Sequence, residues 1–408
     1  METTLTMPLK KNNPGTYNLN KSTRENLTLQ KTSRIEKFFV SAAKQMSLFY
    51  FACILIKKPL LILKTYKQLM QLRKQTWGAQ VNKMYKVDGK YYSNLYNPGW
   101  PSLSYNTFLK DELMRHAFPL DYTGKLSIVF FAITRKCPLK CEHCFEWDNL
   151  NQKETFTKEE LIRIVDLYQQ QSAIQFHFSG GEPMVRIYDL VDVIQHAKNK
   201  SDCFVITSGF NLTDVNAMRL KDAGCKGVVV SIDHYIPELH NSFRHHANVF
   251  QQAVDGVRAA LRVGLVVTIS VCVTKSFIDG DHLMPYIKFA KDIGVHFVQL
   301  LEPKNIGHYA DKDVLLEEKH IQQLESFFGV INQEKKYKDY PFIMYHGYHQ
   351  RRVGCYAGSR SIYIDSAGDV NACPFCHTKS YNVGDIMRAK NKSVPIKENL
   401  CPRYGKIA

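Results

Sequence analysis

Leu126-Ser-Ile-Val-Phe-Phe-Ala-Ile133, followed closely by Cys137-Pro-Leu-Lys-Cys141-Glu-His-Cys144, is the stretch on which the reading of this 408-residue chain turns. Its first part is a continuous apolar run of strand length, the pattern of a strand buried on both faces. The second part sets three cysteines at C-x3-C-x2-C spacing just beyond the end of that strand. Three thiolates can hold a 4Fe-4S cluster while its fourth iron keeps no protein ligand, whereas most electron carriers close the cluster with four cysteines. An open iron invites chemistry at the metal. Taken alone, the triad could also bind zinc or be incidental.

Three more segments follow strand-like runs in turn. Ser179-Gly180-Gly181-Glu182-Pro183 comes after IQFHF (174–178), Thr207-Ser208-Gly209-Phe210 after CFVI, and Ser231-Ile232-Asp233 after GVVV. Together with Cys137, Cys141 and Cys144, these segments resemble the radical SAM enzymes. The residue before the third cysteine is an aromatic ring in that family, and His143 is a tolerated variant of it. The resemblance implies that the backbone of Gly180, Gly181 and Glu182 meets the methionyl amine of S-adenosylmethionine, a close approach that a Cβ would obstruct. It also implies that Ser208, Ser231 and Asp233 contact the ribose or methionyl groups. S-adenosylmethionine would chelate the open iron and be cleaved reductively to a 5'-deoxyadenosyl radical, with a donor such as flavodoxin or ferredoxin supplying the electron. No catalytic residue beyond the cluster is assigned.

Beyond Lys125 an alternation sets in. Strand candidates at 126–133, 174–178, 203–207, 227–232, 266–273 and 296–301 are separated by helical patterns near 157–170, 187–198, 213–222, 247–262 and 280–293. Six βα units with parallel strands predict an α/β fold, a partial (β/α)6 TIM-like barrel over residues 126–305. Chemistry in such folds gathers at the C-terminal ends of the strands, where the four motifs fall. Residues 81–125 read as a hairpin and helix leading into the barrel, and residues 306–345 as a connecting helix.

A second cysteine pattern closes the chain: Cys355, 17 residues, Cys373-Pro-Phe-Cys376, 24 residues, Cys401. SIYIDSAGDVNAC between the first two predicts a hairpin that brings its flanking cysteines together. Residues 346–408 resemble the twitch domain, the short form of the SPASM extension, with Gly368 five residues before Cys373. That resemblance implies a second, auxiliary 4Fe-4S cluster on Cys355, Cys373, Cys376 and Cys401; an all-thiolate zinc site is the alternative. Cys203, Cys225 and Cys272 are expected as small buried hydrophobes. His177, His245 and His246 lack metal-site spacing, and His346 and His349, near Cys355, are expected on a surface loop, with lining of the substrate side as the alternative.

The net charge of +16 is unevenly placed, since residues 1–90 hold 17 Lys or Arg against 4 Asp or Glu. A basic arm that meets an anionic surface is expected, not a wholly basic catalytic domain. Residues 1–33 are polar and read as a disordered tail. Residues 34–80 contain an apolar run, Met46 to Ile56, which is 11 residues long where a span needs about 20. Lys57, Lys58 and Pro59 break it, so amphipathic helices on an anionic membrane surface are expected, or a helical hairpin packed on the barrel. Without an apolar secretory core at the start, the 11 cysteines suit a reducing cytoplasm, possible peripheral attachment to the membrane's cytoplasmic face included. The expected substrate is a peptide, a lipid-linked molecule or an isoprenoid-type molecule. Nucleic acid is not expected as a partner, because the arm's lysines are interleaved with aliphatics. An RNA-modifying enzyme and a non-catalytic iron-sulfur carrier are the alternatives.

Overall fold

Burial on both faces explains why the barrel strands are apolar throughout: all seven residues of VVTISVC (266–272) and all five of QFHFS (175–179) are buried. The computed structural model describes residues 32–77, 83–119, 122 and 126–389. Two helices come first, α1 (Arg34–Ile56) and α2 (Pro59–Trp77), then the hairpin β1 (Tyr85–Val87) and β2 (Lys90–Tyr92), and α3 (Leu103–Ala117). The repeat follows as β3 (Ile128–Ala132), α4 (Lys158–Gln170), β4 (Gln175–Ser179), α5 (Ile187–Ala197), β5 (Asp202–Thr207), α6 (Asp214–Ala223) and β6 (Cys225–Ser231). It continues through α7 (Pro237–Arg244), α8 (Val249–Arg262), β7 (Val266–Cys272), α9 (Lys275–Asp279), α10 (Leu283–Asp292) and β8 (Phe297–Leu301). The C-terminal part holds α11 (Glu318–Gln333), β9 (Phe342–Tyr345), α12 (His346–Val353), β10 (Ser361–Ile364), β11 (Asp369–Asn371), β12 (Tyr381–Asn382) and α13 (Val383–Arg388).

The six expected strands, β3 to β8, run parallel and in sequence order, and the sheet extends beyond them on both sides. β9 adds a further parallel strand beside β8, within the stretch read from sequence as connecting helix. On the other side β10 pairs in parallel with β3, placing Ile364 opposite Phe131. The antiparallel strands β11 and β12 complete that edge. The C-terminal hairpin therefore continues the barrel sheet, and Ile362, Ile364, Val370 and Val383 join its hydrophobic core.

Side-chain caps mark the helix starts. Thr157 and Glu160 form a reciprocal capping box at α4, and Ser33 and Glu36 do so at α1. Lys57 takes a left-handed conformation after Ile56 and α2 begins at Pro59, so the chain breaks at the lysines and proline singled out in the sequence. The two helices pack against α3 through Leu48, Ala52, Ile56, Ile62, Leu109 and Leu113. Their outer face leaves Phe38, Phe39, Met46, Phe49 and Leu60 exposed. α1, at 23 residues, is also long and apolar enough by composition to cross a membrane. α2 meets α12 beside β9, and Glu112 of α3 pairs with Arg360 just before β10 at 2.5 Å. The helices thus span the gap between the first and last parallel strands.

Because Ile364 is wholly buried between β3 and β11, Ile364→Ala should destabilise the barrel by about 2–5 kcal/mol in denaturant unfolding. Leu60→Ala, at a position 83% exposed, should change stability by about 0.5 kcal/mol or less. Barrel unfolding that is unmoved by Ile364→Ala would mean that the hairpin folds as a separate unit.

Candidate functional site

The loop after β3 carries the three cysteines and is pinned from several sides. The Asn151 side chain brackets Cys137, accepting from its N–H at 3.1 Å and donating to its carbonyl at 3.1 Å. The His308 backbone N–H donates to the Cys144 carbonyl at 2.9 Å, and the His308 ring stacks on Trp147 with centroids 3.9 Å apart. The Glu142 N–H donates to the Phe243 carbonyl at 3.0 Å. All three cysteines are free and half-buried. Burial pushes the Cys137 thiol up to about 12 and raises Cys141 and Cys144 as well, so iron must displace their protons to bind. Among the described residues no three His, Cys, Asp or Glu side chains converge tightly enough for a single bare ion. Three thiols on one loop are the donor chemistry that a 4Fe-4S cluster takes, one thiolate to each of three irons.

The turn after β4 lies against this loop. Gly181 N–H donates to the Thr134 carbonyl and Glu182 N–H to the Lys136 carbonyl, each at 2.8 Å. A Cβ on Gly181 would stand 2.4 Å from the Lys136 carbonyl oxygen, and one on Gly180, whose φ is +147°, 2.6 Å from that of Thr134. Only glycine permits that approach. The Glu182 carboxylate turns inward, accepting from Thr207 Oγ1 (2.7 Å), the Ser208 N–H (2.8 Å), Ser208 Oγ (2.5 Å) and the Met184 N–H (3.0 Å). Burial raises its pKa against these four donors. Glu182 and Ser208 thus tie the ends of β4 and β5 together.

Asp233, just beyond β6, forms a buried two-pronged pair with Arg244 at the end of α7, at 2.8 Å from Nε and 2.7 Å from Nη2. Its other oxygen accepts from the Cys272 N–H at 3.0 Å. Burial alone would raise the Asp233 pKa, but Arg244, then His143 and His240, outweigh it and hold it at about 2. Arg244 Nη1 also lies 3.8 Å from Cys141 Sγ, putting a fixed positive charge beside a cluster thiol. His143 stacks on Phe243 with centroids 4.9 Å apart, and its Nε2 is 3.9 Å from Asp233. Ser231 accepts from Ser270 Oγ at 3.3 Å.

A cavity of about 640 Å³ runs from this site through the barrel interior and out beneath α1, α2 and α3. His143, Phe145, Ser231, Asp233 and Cys272 line one end. Cys355, Cys373, His346 and His349 also face the cavity, the two histidines sitting on α12 and not on a surface loop. The Cys376 N–H donates to the Cys373 carbonyl at 3.1 Å, and Gln350 donates to Cys355 Sγ at 3.4 Å. Phe375, between Cys373 and Cys376, meets Phe145, which follows Cys144, edge-on at 5.6 Å. The two cysteine loops therefore touch through aromatic rings. Cys401 lies outside the described residues. Cys203 and Cys225 are buried in neighbouring strands, His177 is buried in the barrel against Phe204, and His245 pairs with Glu142 on the outside.

Sequence reading missed Arg244, because no motif spacing links it to Asp233 and only α7 folding back brings the two together. Glu302 and Lys304 were missed too, although they follow the last predicted strand. The Glu302 carboxylate accepts from Lys304 and Arg351 at 2.8 Å each and from Tyr345 at 2.6 Å in the cavity wall. Standing just past a barrel strand's C-terminal end was the available signal.

Gly181→Ala should strain the loop by about 1–3 kcal/mol and yield folded protein with less than its full iron after reconstitution. Full iron loading in that variant would show that the contact does not shape the site. Arg244→Ala leaves Asp233 a buried, unpaired carboxylate and should cost about 3–5 kcal/mol in denaturant unfolding. A loss under about 1 kcal/mol would mean that another cation replaces it.

Residues 131–285 match the radical SAM superfamily. Among curated proteins the chain is similar to a PqqA peptide cyclase of Streptomyces rochei, 27% identical over 249 residues that cover 59% of this chain and 67% of that protein. It is also similar to a GTP 3',8-cyclase of Staphylococcus haemolyticus, 24% identical over 217 residues, and spans 63% of that relative's length and 50% of its own. Among solved structures, Streptococcus suis SuiB bound to S-adenosylmethionine superposes with a TM-score of 0.52 at 14% identity, covering 76% of this chain and 72% of SuiB. SuiB bound to the precursor peptide SuiA gives 0.53 at 14% identity over 81% and 78%. At that identity the likeness speaks for the fold, while the family match falls on the segment holding the three cysteines, the Gly-Gly-Glu turn and Asp233. Residues 131–285 of this chain form a radical SAM superfamily domain.

Proposed function

We propose that this chain is an enzyme that uses S-adenosylmethionine to start radical chemistry on a peptide, lipid-linked or isoprenoid-type substrate held in the barrel cavity. The observation that carries this reading is the three-cysteine loop clamped on Gly180 and Gly181 at one end of a continuous cavity. When bound, a 4Fe-4S cluster on Cys137, Cys141 and Cys144 and S-adenosylmethionine together supply reductive cleavage of the sulfonium to a 5'-deoxyadenosyl radical. The chain's own groups do the rest. Gly180 and Gly181 let their turn close on the backbone of residues 134–136, which holds the cysteine loop in place, and Arg244 keeps a positive charge beside Cys141 that favours the thiolate. Ser208, Ser231, Asp233 and His143 are the groups proposed to position the methionyl and ribose parts. The barrel walls exclude water, which protects a reactive intermediate from side reactions.

A peptide substrate is supported by the names of similar proteins, a PqqA peptide cyclase and the SuiB structure with its precursor peptide. The lipid-linked and isoprenoid options are supported by the apolar outer face of α1 and α2, which suits the cytoplasmic face of an anionic membrane. A second 4Fe-4S cluster on Cys355, Cys373, Cys376 and Cys401 is part of the proposal, close to the first through Phe145 and Phe375. Flavodoxin or ferredoxin is the proposed electron donor.

Anaerobically reconstituted protein with dithionite should form 5'-deoxyadenosine from S-adenosylmethionine, and the Cys137→Ala, Cys141→Ala, Cys144→Ala triple variant should form none. Absence of the product from fully iron-loaded wild type, with candidate substrates present, would overturn the reading. The same protein should sediment with phosphatidylglycerol vesicles and not with phosphatidylcholine vesicles at low salt; indifference to both would remove the membrane part alone.

A further inference from the structure

The barrel interior one layer below Asp233 holds a neutral hydrogen-bonding cluster that the proposed reaction does not use. Ser231, Ser270 and Gln299 stand side by side in β6, β7 and β8, two residues before Asp233, Cys272 and Leu301 in turn. Two residues along a strand keep the same face, so Gln299 sits about 7 Å beneath the level of Cys272. Gln299 is buried, and its side-chain nitrogen lies 2.5 Å from the Tyr96 hydroxyl and 3.2 Å from His346 Nε2. An amide nitrogen can only donate. The Tyr96 oxygen and His346 Nε2 therefore both accept, which puts the His346 proton on Nδ1 and leaves the Tyr96 proton to be given elsewhere. Burial lowers the His346 pKa to about 4 and raises that of Tyr96, so both groups are uncharged donors. Their rings meet with centroids 4.9 Å apart, and both, half-buried, line the cavity together with Gln299. Asn94 fixes the loop that presents Tyr96, accepting from the Tyr96 and Asn97 N–H groups at 2.8 Å each, and His177 stacks on the Tyr96 ring at 5.6 Å.

Apolar side chains surround these donors, with Leu95, Phe130, Ile206 and Val229 in the same cavity lining. A few placed polar groups in a mostly apolar cavity fix the orientation of a ligand. The geometry points to Tyr96 and His346, oriented by Gln299, as a two-donor site for a carbonyl oxygen of the substrate, the rest of that molecule extending up the barrel toward the cysteine loop. A carbonyl oxygen offers two acceptor lone pairs and no proton of its own, so it matches two donors. A carboxylate or phosphate is disfavoured there. Lys304 and Arg351, the cations of this wall, are already paired with Glu302, and an anion taken out of water without a counter-charge is costly. The inference rests on the reading of the cavity as a substrate site, and narrows the substrate to molecules that present an uncharged carbonyl on an apolar body.

The test titrates the reconstituted full chain with geranylacetone, isotope-labelled at its carbonyl carbon, and with the hydrocarbon of the same chain lacking the oxygen. Calorimetry reads affinity, and the infrared carbonyl stretch reads hydrogen bonding to the ketone directly. Bound to wild type, the stretch should fall below its frequency in an apolar solvent. Tyr96→Phe keeps the ring and removes one donor, so it should weaken the ketone about fivefold, the worth of one neutral hydrogen bond, shrink the frequency shift, and leave the hydrocarbon no weaker. Gln299→Glu should abolish the shift, because a carboxylate accepts the protons that the site otherwise offers. Tyr105→Phe, at the other end of the cavity under α1, is the control and should bind the ketone like wild type. No binding of the ketone, an unshifted stretch in wild type, or an equal loss of ketone and hydrocarbon in Tyr96→Phe overturns the site. 5'-Deoxyadenosine formation separates the two claims: binding as expected without that product refutes the proposed reaction and leaves the carbonyl site standing, while the product without ketone binding refutes the site alone.

Discussion

The rest of the site depends on the contact between the Gly180-Gly181 turn and the backbone of residues 134–136. Two backbone hydrogen bonds close it, and a carbonyl oxygen stands where any Cβ would be. The contact holds the cysteine loop against the ends of β3 and β4. Glu182 carries the restraint on to Thr207 and Ser208, and Asp233 joins the end of β6 to Arg244 and to the Cys272 amide. The ends of β3, β4 and β5 are thereby tied to one another, and that of β6 to that of β7, by polar contacts. Such networks are costly when half-made and rigid when complete. A site that must hold reacting groups in one geometry gains from that rigidity.

The N-terminal helices show a different division of labour. Their inner face packs on α3 and covers the gap between β9 and β10, and the same face supplies Lys44 and Arg73 to the cavity. Their outer face keeps large apolar side chains in the open. The packed hairpin, one of the two arrangements posed from the sequence, is present, and the membrane-surface reading is left to rest on the outer face alone. The C-terminal hairpin is likewise integral, because its first strand extends the barrel sheet and lays Phe375 against Phe145.

The sequence by itself determined the six parallel strands, their helices and the four motifs at the strand ends. It could do so because strands buried on both faces must be apolar throughout, and because three thiols and paired glycines are demanded by local chemistry. It also marked Lys57 to Pro59 as the break between α1 and α2, since backbone conformation there is a local matter. Tertiary structure alone decided the rest. The four apolar residues of β9 are too few to tell from a loop, and only pairing with β8 makes them a strand. Nothing in the ten residues between Asp233 and Arg244 announces their ion pair, because it is α7 folding back over the cysteine loop that removes both groups from water. Lys44 reads as an ordinary surface charge until α1 closes on α3 and sets it over the Tyr105 ring. Contacts made between distant segments are set by packing geometry and desolvation, and neither is written in residue spacing.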